Sequence, residues 1–139
     1  MLNPIHFVTL AALIIGAYYD IKTKTKNIPI WLFPITTGIV TVYVLTEQPY
    51  ELQEHVTAFA VMLIVMFTFA FMTNFGGADA MAFALIGMTT GFYAFYIAMG
   101  AFTLSIPHSI FLYKKKKPYP FLPYIATSYT IYLMLARSF

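Results

Sequence analysis

The chain has 139 residues, of which 60% are hydrophobic and only 9% charged, and its formal net charge is +3. Cysteine is absent, which excludes disulfides, thiolate nucleophiles and thiolate zinc sites. Apolar runs recurring from end to end and a mean hydropathy of +0.77 exclude a soluble domain and indicate an all-α polytopic membrane protein.

The expected architecture is about six transmembrane helices in a single domain, residues 1–139, since the chain is too short for a second folded unit. Pro4 to Tyr19 forms the first expected span, and Asp20 closes it. It has no basic region before it and no small-residue cleavage site after it, so it reads as a mature span and not a signal peptide. Ala12, Gly16 and Asp20 lie four apart and share one helix face. Small residues at that spacing admit a close neighbour, so the acid lies at the end of a packing seam.

A basic loop, Ile21 to Pro29, carries Lys22, Lys24 and Lys26. Span two is expected from Ile30 to Leu45, with Trp31 as interfacial anchor and Pro34 tolerated in the first turn. An acidic loop follows, Glu47 to Glu54, without a basic residue. Span three, His55 to Thr73, is the most uniformly apolar. Gly76 and Gly77 then lead into Asp79, and from Ala80 to Tyr113 the chain stays apolar. That stretch is too long for one span, and Gly87-Met88-Thr89-Thr90-Gly91 is the expected break. Span five therefore ends before Lys114 to Lys117, and span six runs from Phe121 to Leu135.

The two lysine clusters set the orientation. With both in the cytoplasm, six spans put the acidic loop outside and the Gly76-Gly77 turn inside. Asp20 and Asp79 then meet at the cytoplasmic face of the cell membrane. Lys114 to Lys117 reads as a topology signal, and membrane lipid is the expected surrounding partner, with no nucleic acid.

Asp20 and Asp79 are the only aspartates. Each has a structural excuse: Asp20 as an interfacial acid pairing with Lys22 or Lys24, Asp79 as a cap on the helix after Gly77. Taken together at one face they point to chemistry. Two carboxylates about 3 Å apart cannot both ionise and so share one proton. The ionised one takes a proton from water while the protonated one polarises a scissile carbonyl. Competing chemistry is missing. No serine sits in a GxSxG context, and His6, His55 and His108 are scattered without metal-ligand spacing, so neither a metal nor another cofactor is expected. Gly76, Gly77 and Ala78 are the expected supporting residues, where small side chains let a substrate backbone approach.

These residues carry a family resemblance. Tyr19-Asp20-Ile21-Lys22 through Asn27-Ile28-Pro29-Ile30-Trp31 resembles the first motif of the type IV prepilin peptidases, an aspartate ahead of a basic loop and an Ile-Pro-Asn-like helix entry. Gly76-Gly77-Ala78-Asp79 resembles the second motif, GxGD in bacterial members and Gly-x-hydrophobic-Asp in archaeal preflagellin and prepilin peptidases. Pro120-Phe121-Leu122-Pro123 is similar to the proline-rich entry of the family's last helix. Met81 stands where bacterial members often carry lysine, Ile30 where asparagine is usual, and Ala78 replaces the second glycine as in the archaeal-like form. The resemblance implies a membrane aspartyl peptidase with Asp20 and Asp79 as catalytic residues. It also implies a substrate class, prepilin or preflagellin-like precursors with short basic leaders. The cysteine-bearing insert of the long bacterial enzymes has no counterpart here, so leader N-methylation is not expected.

Two other classes fit the composition. A non-enzymatic scaffold or assembly subunit of a pilus or secretion system would use the aspartates for helix association. A proton-coupled transporter half would want an acid near mid-membrane and more polar lining.

Overall fold

A backbone placed in lipid has to satisfy its N–H and C=O groups within its own segment, and the apolar runs accordingly fold as helices. The computed structural model describes residues 3–22, 31–72, 77–113 and 121–138. Among them are six α-helices: α1 (Pro4–Lys22), α2 (Leu32–Glu47), α3 (Leu52–Met72), α4 (Gly77–Thr90), α5 (Ala94–Tyr113) and α6 (Leu122–Ser138). Single 3-10 turns, Pro49–Glu51 and Gly91–Tyr93, join α2 to α3 and α4 to α5. No strand occurs among the described residues. Lys24, Lys26, Gly76 and Lys114 to Lys117, with Pro118 and Pro120, lie outside them.

Three stretches are long and apolar enough to cross a membrane: Pro4–Lys22, Pro49–Met72 and Ala78–His108. Leu32–Glu47 and Leu122–Ala136 are shorter apolar helices. The third long stretch is bent back on itself. Phe83 and Phe102 stack with ring centroids 5.9 Å apart, whereas nineteen residues of continuous helix would hold them about 28 Å apart. The reversal is at Gly91, where φ is +66°, a left-handed conformation that side chains with a Cβ rarely adopt.

The expected break over residues 87–91 was therefore right in kind and wide in extent. Gly87 is an ordinary helical residue of α4. A Cβ there would meet the backbone oxygen of Ala58 at 3.0 Å, so this glycine lets α3 and α4 close on each other. The acidic 47–54 segment is also more ordered than a loop. Leu52 to Glu54 begin α3, where acids meet the positive end of the helix dipole.

α4 is the central element, packed against α1, α2, α3, α5 and α6. Ala80, Ala82, Phe83, Ala84, Leu85 and Ile86 are fully buried, and a helix that is apolar all round suits enclosure on every side. The outer helices show the reverse pattern. Ile14, Ile39, Ile64, Phe71, Met99 and Ile110 are all exposed, as expected where lipid is the solvent. Helical threonines return their hydroxyl protons to the carbonyl four residues back, as Thr36 does to Leu32, Thr41 to Thr37 and Thr103 to Met99.

Cross-helix contacts fix the directions. Asp20 and Gly16 meet Leu122, while His6 meets Tyr129, so α1 and α6 are antiparallel. Phe83 meets Phe121, and Thr89 meets Thr9 beside Tyr129, so α4 runs parallel to α6 and antiparallel to α1. One end of the bundle thus gathers the end of α1 and the starts of α4 and α6.

Candidate active site

Asp20 lies in the last turn of α1, a position where the helix dipole disfavours an anion. It is nonetheless buried, 2% exposed. The seam that the sequence spaced at every fourth residue accounts for its place. Ala12, Gly16 and Asp20 are all buried on one face. A Cβ at Gly16 would stand 2.9 Å from the Phe33 ring and 3.3 Å from Leu122, so the glycine admits α2 and α6 together. The carboxylate is then delivered to the start of α6, where Oδ2 accepts the backbone N–H of Leu122 at 3.1 Å. The positive end of α6 offsets the negative end of α1.

This donor was missed by reasoning from sequence, although its signal was present. Pro123 is the second residue of α6 and has no N–H to give. Leu122 is the helix's first residue, with an N–H that no intrahelical carbonyl can reach. Lys22, offered by the sequence as a partner for Asp20, holds its ammonium over the Tyr18 ring, 5.5 Å from the centroid.

Asp79 sits in the first turn of α4. It is the third helical residue and not the residue before the helix, so it meets the dipole from inside the first turn. The residue is half-buried and its Oδ1 is shielded from solvent. Of the supporting residues, Gly77 opens α4 and Ala78 is half-buried against the core. Gly76 lies outside the described residues.

The Thr9 and Thr89 hydroxyls lie 2.7 Å apart and set the axial register of the two helices. From Thr9 the chain advances eleven residues to Asp20, and from Thr89 it returns ten residues to Asp79. These are rises of about 16 Å and about 15 Å toward the same end of an antiparallel pair. The two aspartates therefore share one end of the bundle at closely similar depth, Asp20 against the start of α6 and Asp79 in the first turn of α4. Two carboxylates so placed, with Asp20 buried and Asp79 Oδ1 shielded from solvent, could serve as an acid–base pair.

The histidines are tied up elsewhere. His6 Nδ1 is 2.9 Å from the Tyr129 hydroxyl, and His108 Nδ1 is 2.5 Å from the Tyr124 hydroxyl. His55 is buried, donates Nδ1–H to the Met88 carbonyl at 2.6 Å and has Nε2 3.5 Å from Glu51. Among the described residues no group of three or more His, Cys, Asp or Glu is arranged to hold a metal.

A family model described as the type IV leader peptidase family matches residues 7–112, from near the start of α1 to near the end of α5, and includes both aspartates. No curated protein and no solved structure matches the chain.

Proposed function

We propose, since this chain belongs to the type IV leader peptidase family, that it is an aspartyl endopeptidase of the cell membrane. Family membership makes it a protease with prepilin-like substrates in general. The finer reading is that it removes the short basic leader from type IV prepilin-like or preflagellin precursors at the cytoplasmic face. Asp20 and Asp79 form the dyad, within one transmembrane domain of about six spans.

One observation carries the reading. Counting along α1 and α4 from the Thr9–Thr89 hydrogen bond brings the only two aspartates of the chain to the same end and depth. In the mechanism that follows, the pair holds a single proton. The ionised carboxylate takes a proton from water as the oxygen attacks the scissile carbonyl. The protonated carboxylate donates to the carbonyl oxygen, and the leaving amine is protonated as the tetrahedral intermediate collapses. Gly76, Gly77 and Ala78 present backbone to the extended leader. The apolar helix of the precursor stays in the bilayer beside the bundle.

A second reading has its own observation. Asp20 caps the start of α6 through Leu122, as it would in a scaffold with no activity. The test is to incubate the purified protein with a panel of pilin-like precursors and sequence the new N-termini. A cut between basic leader and apolar segment, made by the wild type and lost in Asp20→Asn, supports the peptidase. Asparagine keeps an oxygen to accept the Leu122 N–H but cannot act as a base. A protein that cuts no precursor, and whose Asp20→Asn variant supports assembly as well as wild type, is a scaffold.

A further inference from the structure

A chain of hydroxyl groups crosses three helices on the side of the bundle away from the aspartates. Thr89 Oγ donates to the Leu85 carbonyl at 2.9 Å, so it must accept the proton of Thr9, 2.7 Å away. That uses the only proton of Thr9, whose side chain also lies beside the Tyr129 hydroxyl. The Tyr129 hydroxyl is in turn 2.9 Å from His6 Nδ1, a hydrogen bond that ties α6 back to α1. Polar contacts therefore link α1 to α4 through Thr9 and Thr89 and to α6 through His6 and Tyr129. Thr9 and Tyr129 are fully buried and Thr89 is 2% exposed. Each of α1, α4 and α6 contributes one hydroxyl.

We infer that Thr9, Thr89 and Tyr129 are positioning residues that fix the axial register of α1 against α4 and α6, and through it how Asp20 is set against Asp79. Apolar packing alone tolerates sliding, because one aliphatic side chain replaces another at little cost. A hydroxyl that slides in a dry interior loses its partner and finds no water. The Thr9–Thr89 hydrogen bond is thus a feature of the α1–α4 interface that cannot be shifted by a turn without loss. Interhelical hydrogen bonds within membranes add little stability individually, so their removal releases register without unfolding the bundle. The inference rests on the proposed dyad for its functional consequence, although its structural claim stands apart from it.

The test has two arms. In the first, Thr9→Val, Thr89→Val, Tyr129→Phe and the conservative Thr9→Ser are compared for cleavage of a pilin-like precursor. A misplaced dyad should lower kcat by roughly tenfold or more in the first three, with KM little changed. Carboxylates moved apart interact less, so their two apparent pKa values converge and the bell of kcat against pH narrows. Thr9→Ser should restore both. A loss of folded protein would instead scale the curve without changing its shape. The second arm needs no cleavage. In this cysteine-free chain, Asp20→Cys with Asp79→Cys is treated with a short thiol crosslinker. A one-turn slip of about 5.4 Å exceeds what a short bridge spans, so crosslinking should fall roughly threefold or more on adding Thr9→Val and return with Thr9→Ser. Unchanged crosslinking and an unchanged pH profile in Thr9→Val and Tyr129→Phe would overturn the inference. If the wild type cuts no precursor, the peptidase reading fails and the crosslinking arm still decides the register.

Discussion

Asp20 and Leu122 are far apart in the chain, yet Oδ2 of the first accepts the backbone N–H of the second at 3.1 Å in the buried interior. The carboxylate therefore has a structural duty, and its substitutions separate that duty from chemistry. Asp20→Ala leaves the Leu122 N–H buried without its acceptor and should cost about 1–3 kcal/mol. Asp20→Asn keeps an acceptor and should stay within about 1 kcal/mol of wild type. Thermal unfolding in detergent checks the order of the three proteins. Equal losses for Ala and Asn would mean that the negative charge, and not the acceptor, holds α6.

Gly91 makes the α4–α5 reversal with φ at +66°. Gly91→Ala should destabilise by about 1–2 kcal/mol, the cost of a left-handed conformation for a residue with a Cβ. The added Cβ would also stand 2.7 Å from Glu54 Oε1, but that is the far end of a flexible side chain and can move. Gly91→Asn should cost less than Gly91→Ala, because asparagine tolerates this conformation better. Unfolding midpoints of the two variants decide, and the opposite order would place the strain in the Glu54 contact.

Sequence reasoning reached the parts of this fold that one helix writes on its own face. The Ala12, Gly16 and Asp20 seam is such a case, since spacing alone predicts a shared face and the structure buries all three. The reversal between α4 and α5 was legible only to within a turn. Gly87 and Gly91 look alike in sequence, and which admits Ala58 and which takes positive φ depends on where α3 packs. The hydroxyl chain was not legible. Thr9, Thr89 and Tyr129 are ordinary residues of apolar helices until three helices meet. His55 figured in the sequence only as one of three scattered histidines without metal-ligand spacing. Its bond to the Met88 carbonyl arises only because α3 and α4 lie side by side.

The orientation that puts the aspartates at the cytoplasmic face can be checked by labelling. Single cysteines at Thr25, Gln53 and Lys115, added to a cysteine-free chain, are treated with an impermeant reagent on intact cells. Only the one at 53 should react, because lysine-rich loops are retained on the cytoplasmic side. Reaction at 25 or 115 would reverse the placement of both aspartates.

Gly77 opens α4 two residues before Asp79. If an extended leader lies against this backbone, Gly77→Val should remove most cleavage per folded molecule, because the new side chain occupies the path of the substrate. Ala78→Gly should be tolerated, at a cost of at most about 1 kcal/mol in helix propensity. Cleavage measured alongside thermal stability distinguishes the roles. Normal activity per folded Gly77→Val molecule would mean that the glycine serves the fold alone.

The most direct measurement compares precursor cleavage by Asp20→Asn, Asp79→Asn and the double variant, each confirmed as folded in detergent. In a dyad that shares one proton the two carboxylates work as a unit, so one loss is as complete as two. All three proteins should be equally inactive while the wild type cuts between leader and apolar segment. Substantial turnover by either single variant would contradict the two-aspartate mechanism.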